Sequence, residues 1–489
     1  MQGKINYSDR GETMKLIKHN FIFLCVEILL LISVLYVPTQ IMPQACIIVA
    51  DVFVVLTMFK IIRDGFKDIP VFFFNITYWI FVLSGCTTSI IKTGKVSNYI
   101  SVSLTEGQLN LACGIALFGI ACLDIVYFLV SDNNFAPLVA EKKTAVPSKL
   151  QKQVVVVIFA VAAVCKCAMA FESMTYSTVY GYVSLYTRES SNLPSVIGYF
   201  GAFFYFSLML LLSCDFSKRS TYVAFGITAL IEGMILNSGD RGEAVCGILI
   251  LIIYTIFRCR RDPNFLIHKK LAIVGICCSL PFAAFALQII KYTRVGNAAD
   301  INFWDGFFEF FESQGVSINI ISNEIKYRNE ISKIGGHAFV IKQIASYLQQ
   351  NVLFRTLFGF KKIVGNTVEM AMSGSSLGST MMYIILPSSY LRGIGCGTCY
   401  LAELYQDASW IGLILGSVVI ALLLNWIKKV DRVGWIMSAM MMNCMRIVLV
   451  LPRGAFFKWL TEILSVPNLM LLLLLLFLGY VSKRKEIVV

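Results

Sequence analysis

Apolar residues arrive along this chain in long blocks separated by short polar connections. Twelve blocks stand out, at 18–38, 45–62, 70–91, 107–131, 153–172, 194–214, 220–237, 243–258, 271–290, 409–427, 433–452 and 464–482. Each is long enough to cross a hydrocarbon layer as a helix, and a helix is the open-chain way to do so with every backbone group satisfied. The pattern predicts an all-α polytopic membrane protein of about twelve spans. One connection breaks the rhythm. Between Lys291 and Ser409 lie more than a hundred residues with helix-like stretches such as "FWDGFFEFFESQGVSINIISNEI". Connections of that length usually carry structure or function of their own. The expected organisation is a helical bundle over 1–290, a large loop with cap helices over 291–409, and three closing spans over 410–489.

Composition agrees with the blocks. Of 489 residues, 57% are hydrophobic and 15% charged, with a mean hydropathy of +0.74. Soluble domains carry about 25% charged residues. The fifteen cysteines fall mostly inside apolar blocks, where the thiol acts as a small hydrophobe and not as part of a disulfide scaffold. No secretory cleavage site is evident, since "VPTQIMPQAC" after the first block lacks the small-residue pattern. Internal repeats of the kind many transporters carry are not apparent.

Charge adds sidedness. Lys4, Arg10, Lys15 and Lys18 precede the first block. Lys60, Arg63, Lys67, then Lys142, Lys143, Lys149, Lys152, then Lys218, Arg219, then Arg258, Arg260, Arg261, and finally Lys428, Lys429, Arg432 mark every second connection. The other short connections hold only Lys92, Lys95, Arg188, Arg241, Arg453 and Lys458. The positive-inside rule then predicts that both termini are cytoplasmic and that 291–409 lies outside. The net charge of +13 is scattered among connections, which argues against nucleic-acid binding.

Three places carry candidate chemistry. In "ILNSGDRGEAVCGILILIIY" the charged tip Asp240, Arg241, Glu243 falls on the outer side. Alone it reads as a solvated turn. The ninth block, however, ends "LQIIKYTRVGN", which brings Lys291 and Arg294 to that side too. Lys166 and Arg446 interrupt apolar blocks; such charges face a polar interior or snorkel to the interface. Cations converging there suit an anion, and arginine suits phosphate because its planar fork donates in pairs and stays charged. The third place is "SSYLRGIGCGTCYLAELYQDASWIGLILG". Glycines 393, 395 and 397 allow a tight turn, and Glu403 follows at the head of a helix. Glu403 is either an exposed interfacial carboxylate or an acid/base group. Cys396 and Cys399 form a CxxC without the βαβ setting of a redox motif. With histidines only at 19, 268 and 337, no metal site is expected.

These patches resemble the O-antigen polysaccharide polymerase (Wzy) family. "NSGDRGEAVCGILILIIY" is similar to its Arg-Gly turn at the head of a helix. "KYTRVGN" with "FFESQGVSINII" is similar to its outer-loop start and Gln-Gly-Val-Ser patch. "GIGCGTCYLAELYQDASWIG" is similar to its glycine-rich signature ahead of a membrane helix. Thr398 and Cys399 stand where the family favours serines, and the histidine of the related ligases is missing before Tyr400.

The resemblance implies a GT-C-like fold in the bacterial cytoplasmic membrane, and a metal-independent, inverting glycosyltransferase without cofactor. Its substrate would be an oligosaccharide repeat unit on undecaprenyl pyrophosphate, polymerised at the outer face into O-antigen, capsule or exopolysaccharide. A chain-length regulator and a flippase would be partners. On this reading Arg241 and Arg294 hold the departing pyrophosphate, and Glu403 serves the acceptor hydroxyl, with Asp240 and Glu243 as alternatives. Lys291, Gln314, Arg392, Tyr400 and Arg446 bind substrate. A lipid-linked oligosaccharide flippase, an O-antigen ligase, a peptidoglycan-type glycan polymerase and a non-catalytic scaffold are the competing readings.

Overall fold

The computed structural model describes residues 43–131, 146–181, 184–187, 191–239, 241–266, 302–361, 363 and 365–488, with 282, 285–289 and 292. Helix dominates, and no strand occurs among these residues. The apolar blocks become α1 (Pro43–Arg63), α2 (Ile69–Thr93), α3 (Glu106–Val130), α4 (Lys149–Tyr180), α5 (Ser195–Ser213), α6 (Lys218–Ser238) and α7 (Arg241–Arg261). After the long connection come α15 (Tyr400–Lys428), α16 (Trp435–Val448) and α18 (Val466–Val488). Nine helices among the described residues are long and apolar enough to span a membrane; in α18 the apolar part, Val466–Ser482, is shorter. The predicted spans at 18–38 and, for the most part, 271–290 lie outside the described residues.

Local chemistry sets the helix ends. Thr105 and Gln108 form a reciprocal capping box at the head of α3, and Ser148 with Gln151 does the same for α4. Gly94 and Gly239, both with positive φ, close α2 and α6 in the left-handed conformation that a side chain would resist.

The helices pack around one large buried cluster. One group joins α1 and α15 to α3; another joins α4, α5, α6, α7 and α16. Ion pairs knot the connections at one end. Lys428 meets Asp68 at 2.6 Å, and Asp68 also accepts from the Tyr127 hydroxyl. Arg261 meets Asp431 at 3.1 Å and Asp215 at 2.8 Å, and Arg258 pairs with Asp215 as well. This end gathers the connections that the sequence marks as basic.

The long connection folds onto the opposite end as short helices: α8 (Phe303–Gln314), α9 (Ser317–Gly335), α10 (Phe339–Gln350), α11 (Val352–Phe358), α12 (Val368–Met372), α13 (Leu377–Ile385) and α14 (Pro387–Leu391). α8 docks on α2 so closely that a Cβ on Gly315 would fall 2.3 Å from the Gly85 nitrogen. Asp407 of α15 accepts from the N–H groups of Phe339 and Val340, capping α10. α15 is broken at Ala408 and Ser409, where Ser409 has φ +52°. Arg328 of α9 fills the break, donating to the Tyr405 carbonyl and the Ser409 hydroxyl, both at 2.9 Å. Its neighbour Glu324 is fully buried and 3.8 Å away. Burial pushes that carboxyl up to about 8 in spite of Arg328, so it is largely protonated at neutral pH and leaves the arginine's charge to the break.

Candidate functional site

The end opposite the ion-pair knots holds a cavity of about 550 Å³. Its walls are the head of α7, the start of α5, the tail of α16, the tail of α8 and the segment 453–467. Those helix ends are the ones that the charge bias assigns to the outer side.

Four cations line it. Arg446, on the last turn of α16, is buried and holds Glu462 at 3.1 Å, with its guanidinium 3.9 Å from the ring centre of Tyr205. Lys166, from the middle of α4, meets Glu243 at 3.0 Å and lies 5.3 Å from the same ring. Tyr205 thus stands between two cations, each with a carboxylate partner. Arg453 donates to Gln314 Oε1 at 2.8 Å. Lys458 is exposed on the first turn of α17 (Lys458–Ile463) and has no acidic partner among the described residues. Two lining carboxylates therefore face four cations. A third acid, Glu232, is fully buried against α7, where a Cβ on Gly247 would fall 2.0 Å from its Oε1, and it does not line the cavity. The excess positive charge lies on the exposed Arg453 and Lys458, while the buried Arg446 is paired with Glu462; a cavity with two more cations than carboxylates suits a phosphate or pyrophosphate anion. Among the described residues, no three His, Cys, Asp or Glu side chains gather as a metal site.

Apart from Glu403, the expected residues fall into four groups. Glu243, Gln314 and Arg446 line the cavity. Arg241 opens α7 directly before the lining residues Gly242 and Glu243. Asp240, Lys291 and Arg294 lie outside the described residues. Arg392 is exposed, its Nε on the Ser388 carbonyl at 3.2 Å, and Tyr400 is buried in the core; neither lines the cavity.

Of the two readings of Glu403, its burial sets aside the exposed interfacial carboxylate, and it does not line the cavity either. It is fully buried, its Oε1 accepting from the Thr398 hydroxyl at 2.7 Å and its Oε2 from the Phe456 N–H at 2.9 Å. The glycine-rich turn delivers Thr398 to it. Gly397 has φ +75°, and Gly378 packs so tightly that a Cβ there would lie 2.0 Å from the Gly397 oxygen. Phe456 sits between Arg453 and Lys458, so Glu403 fastens the loop that carries two of the four cations.

Sequence reasoning passed over Tyr205, Arg453, Lys458 and Glu462 as site residues. Arg453 and Lys458 had a signal, being rare basic residues on the sparsely charged side. Tyr205 sits in an apolar block and had none.

A family model described as O-antigen polysaccharide polymerase Wzy matches residues 19–485, nearly the whole chain. No curated protein matches the chain, and no solved structure does. The match runs through all the walls of the cationic cavity, and the chain belongs to the O-antigen polysaccharide polymerase Wzy family.

Proposed function

We propose that this polymerase joins oligosaccharide repeat units carried on undecaprenyl pyrophosphate at the outer face of the cytoplasmic membrane. The observation that carries the reading is the cavity with four cations at the end away from the basic connections, in a chain of this family. The acceptor unit's hydroxyl oxygen attacks the anomeric carbon of the chain on the donor lipid. The bond from that carbon to the pyrophosphate oxygen breaks, and the lipid pyrophosphate leaves with the electron pair. A single displacement of this kind inverts the anomeric centre. Arg241, Arg294, Arg446 and Lys166 stabilise the charge that builds on the departing oxygen. Arginine and lysine supply that compensation without a metal or a cofactor. Glu243, which faces the cavity, receives the hydroxyl proton. Glu403 is the positioning residue that holds the loop of Arg453 and Lys458. A GT-C-like arrangement, with cytoplasmic termini and 291–409 outside, completes the reading.

The test is incubation of the purified protein with a lipid-linked repeat unit. A ladder of longer lipid-linked products in excess chelator is expected. Arg241→Ala and Arg294→Ala should lose the ladder while inserting normally. Movement of the lipid-linked unit across a vesicle membrane with no ladder would replace this function with a flippase.

A further inference from the structure

The long connection carries an apolar, basic tip that the cavity does not use. In the sequence "NVLFRTLFGFKK", residues 351–362, three residues are basic and none is acidic. In the structure Leu357 and Phe358 at the end of α11 are 75% and 64% exposed, and Phe354 and Phe360 are also exposed. The three phenylalanines form a row, with ring centres 5.9 Å apart from Phe354 to Phe358 and 5.8 Å from Phe358 to Phe360. Arg355 lies within this stretch and Lys361 directly after it. Lys361 has only a loose contact, 3.9 Å to Glu369, with both side chains in the open. A row of exposed rings of this kind, outside the spans, marks an interaction surface.

The place of α10 says what covers it. α10 leads into α11 and lies along the stretch between α16 and α18: Gln343 accepts from the Phe457 N–H at 3.2 Å, and the Tyr347 hydroxyl donates to the Leu464 carbonyl at 3.1 Å. Leu464 stands two residues before α18, whose Leu469, Met470, Leu473, Leu476 and Phe477 are exposed apolar residues. The Tyr347 contact therefore sits where an outward-facing apolar helix begins, and with that apolar face in lipid it would lie at the level of the membrane boundary. The aromatic tip starts a few residues further along. Aromatic and leucine side chains with arginine and lysine beside them, next to that boundary, match what an interfacial segment needs: apolar groups for the acyl boundary and cations for headgroup phosphates.

We infer that residues 354–361 dip into the phospholipid interface beside α18, as a lipid-anchored tip next to the cavity wall formed by Ser465 and Pro467. The inference needs the chain to be a membrane protein and does not rest on the polymerase chemistry, so the two can fail separately.

The experiment places the photoreactive p-benzoylphenylalanine at position 358 of the full chain in its native membranes. After irradiation, mass spectrometry of the tip peptide should find phospholipid adducts. Adducts to another polypeptide, or none to lipid, would overturn the inference and point to a protein partner or to open water. A second variant, Leu357→Trp, guards against loss of the first. Reconstituted in phosphatidylglycerol-containing vesicles, its added fluorescence should be shifted to the blue and quenched by brominated acyl chains. Quenching by aqueous iodide instead, with no effect of the brominated lipid, would place the tip in water and overturn the inference.

Discussion

At the end of the bundle where α7 and α15 finish, Asp68, Asp215 and Asp431 are matched to Lys428, Arg258 and Arg261 across the connections. At the end where α7 begins and α16 finishes, Lys166, Arg446, Arg453 and Lys458 surround open space with two carboxylates among them. The kinds of charge are the same; the balance of cations to carboxylates, and the open space beside them, are not. Charges that meet without room between them close loops, and their attraction mainly repays desolvation. Around the cavity two cations are paired just as closely, Lys166 with Glu243 and Arg446 with Glu462, but four cations face only two carboxylates, and the surplus charge leaves a field for a ligand. The richer end in lysine and arginine is thus the structural one, and the poorer end carries the candidate site. The charge bias that orients a membrane protein is no guide to where its basic residues act.

The comparison is open to test from the structural end first. Asp431→Ala takes away the more buried of Arg261's two acidic partners and should cost up to about 3–5 kcal/mol of stability, the upper end applying to the extent that Asp215 does not compensate the arginine. The expected outcome is a lower thermal midpoint and yield in detergent, with a normal polymerisation rate per folded molecule. A collapsed rate at unchanged stability would mean that the knot is part of the site.

Arg446→Ala should do the reverse. If Arg446 stabilises the leaving group as proposed, its loss should slow polymerisation roughly 10²–10³-fold, about 2.7–4 kcal/mol. Arg446→Lys should recover only part, since a point charge cannot reproduce the planar fork. Comparing rates with the amount of folded protein checks both. Equal loss of rate and of protein would make Arg446 a structural residue like Arg261.

Glu403 lies between these cases. Glu403→Ala leaves the Phe456 N–H and the Thr398 hydroxyl unsatisfied, at about 1–3 kcal/mol. Glu403→Gln can keep an acceptor for Phe456 and should retain most of the rate. Polymerisation by the two variants, measured alongside binding of the lipid-linked unit, decides the role. A loss on the order of 10²-fold in the Gln variant with binding intact would make Glu403 the base after all.

The sequence was informative where physics is local. Apolar runs located the spans because a helix crossing lipid needs them, and α4 differs from its predicted 153–172 only by extending to Lys149–Tyr180. Beyond that, α15 begins at Tyr400, nine residues before its apolar block, because the stretch ahead of the Ser409 break is helical too. That turn buries Glu403 on Phe456, 53 positions away, a contact no periodicity encodes. The cavity was legible only in pieces. Glu243 and Arg446 were visible as charges in apolar surroundings, whereas Tyr205 looked like any aromatic of a buried helix.

The smallest expected effect concerns that tyrosine, and it sharpens the comparison most. No aromatic ring is shared by two cations in the knots of Lys428 and Arg261 among the described contacts, whereas Tyr205 lies within 3.9 Å of Arg446 and 5.3 Å of Lys166. Its ring face attracts both cations, while its bulk keeps them on separate walls. Removing the ring by Tyr205→Leu forfeits the cation–π attraction, about 0.5–2 kcal/mol, and lets the two cations and their acids rearrange. Tyr205→Phe keeps the ring and should stay near the parent rate. If the ring positions the cations, the Leu variant should bind the lipid-linked unit more weakly and polymerise a few-fold to about 30-fold more slowly, at little change in thermal midpoint. Should Phe and Leu variants lose rate equally, the hydroxyl and not the ring face would matter, and the cations would be held by Glu243 and Glu462 alone. That outcome would bring the cavity end closer to the knots: ion pairs first, with the open space incidental to how they are held.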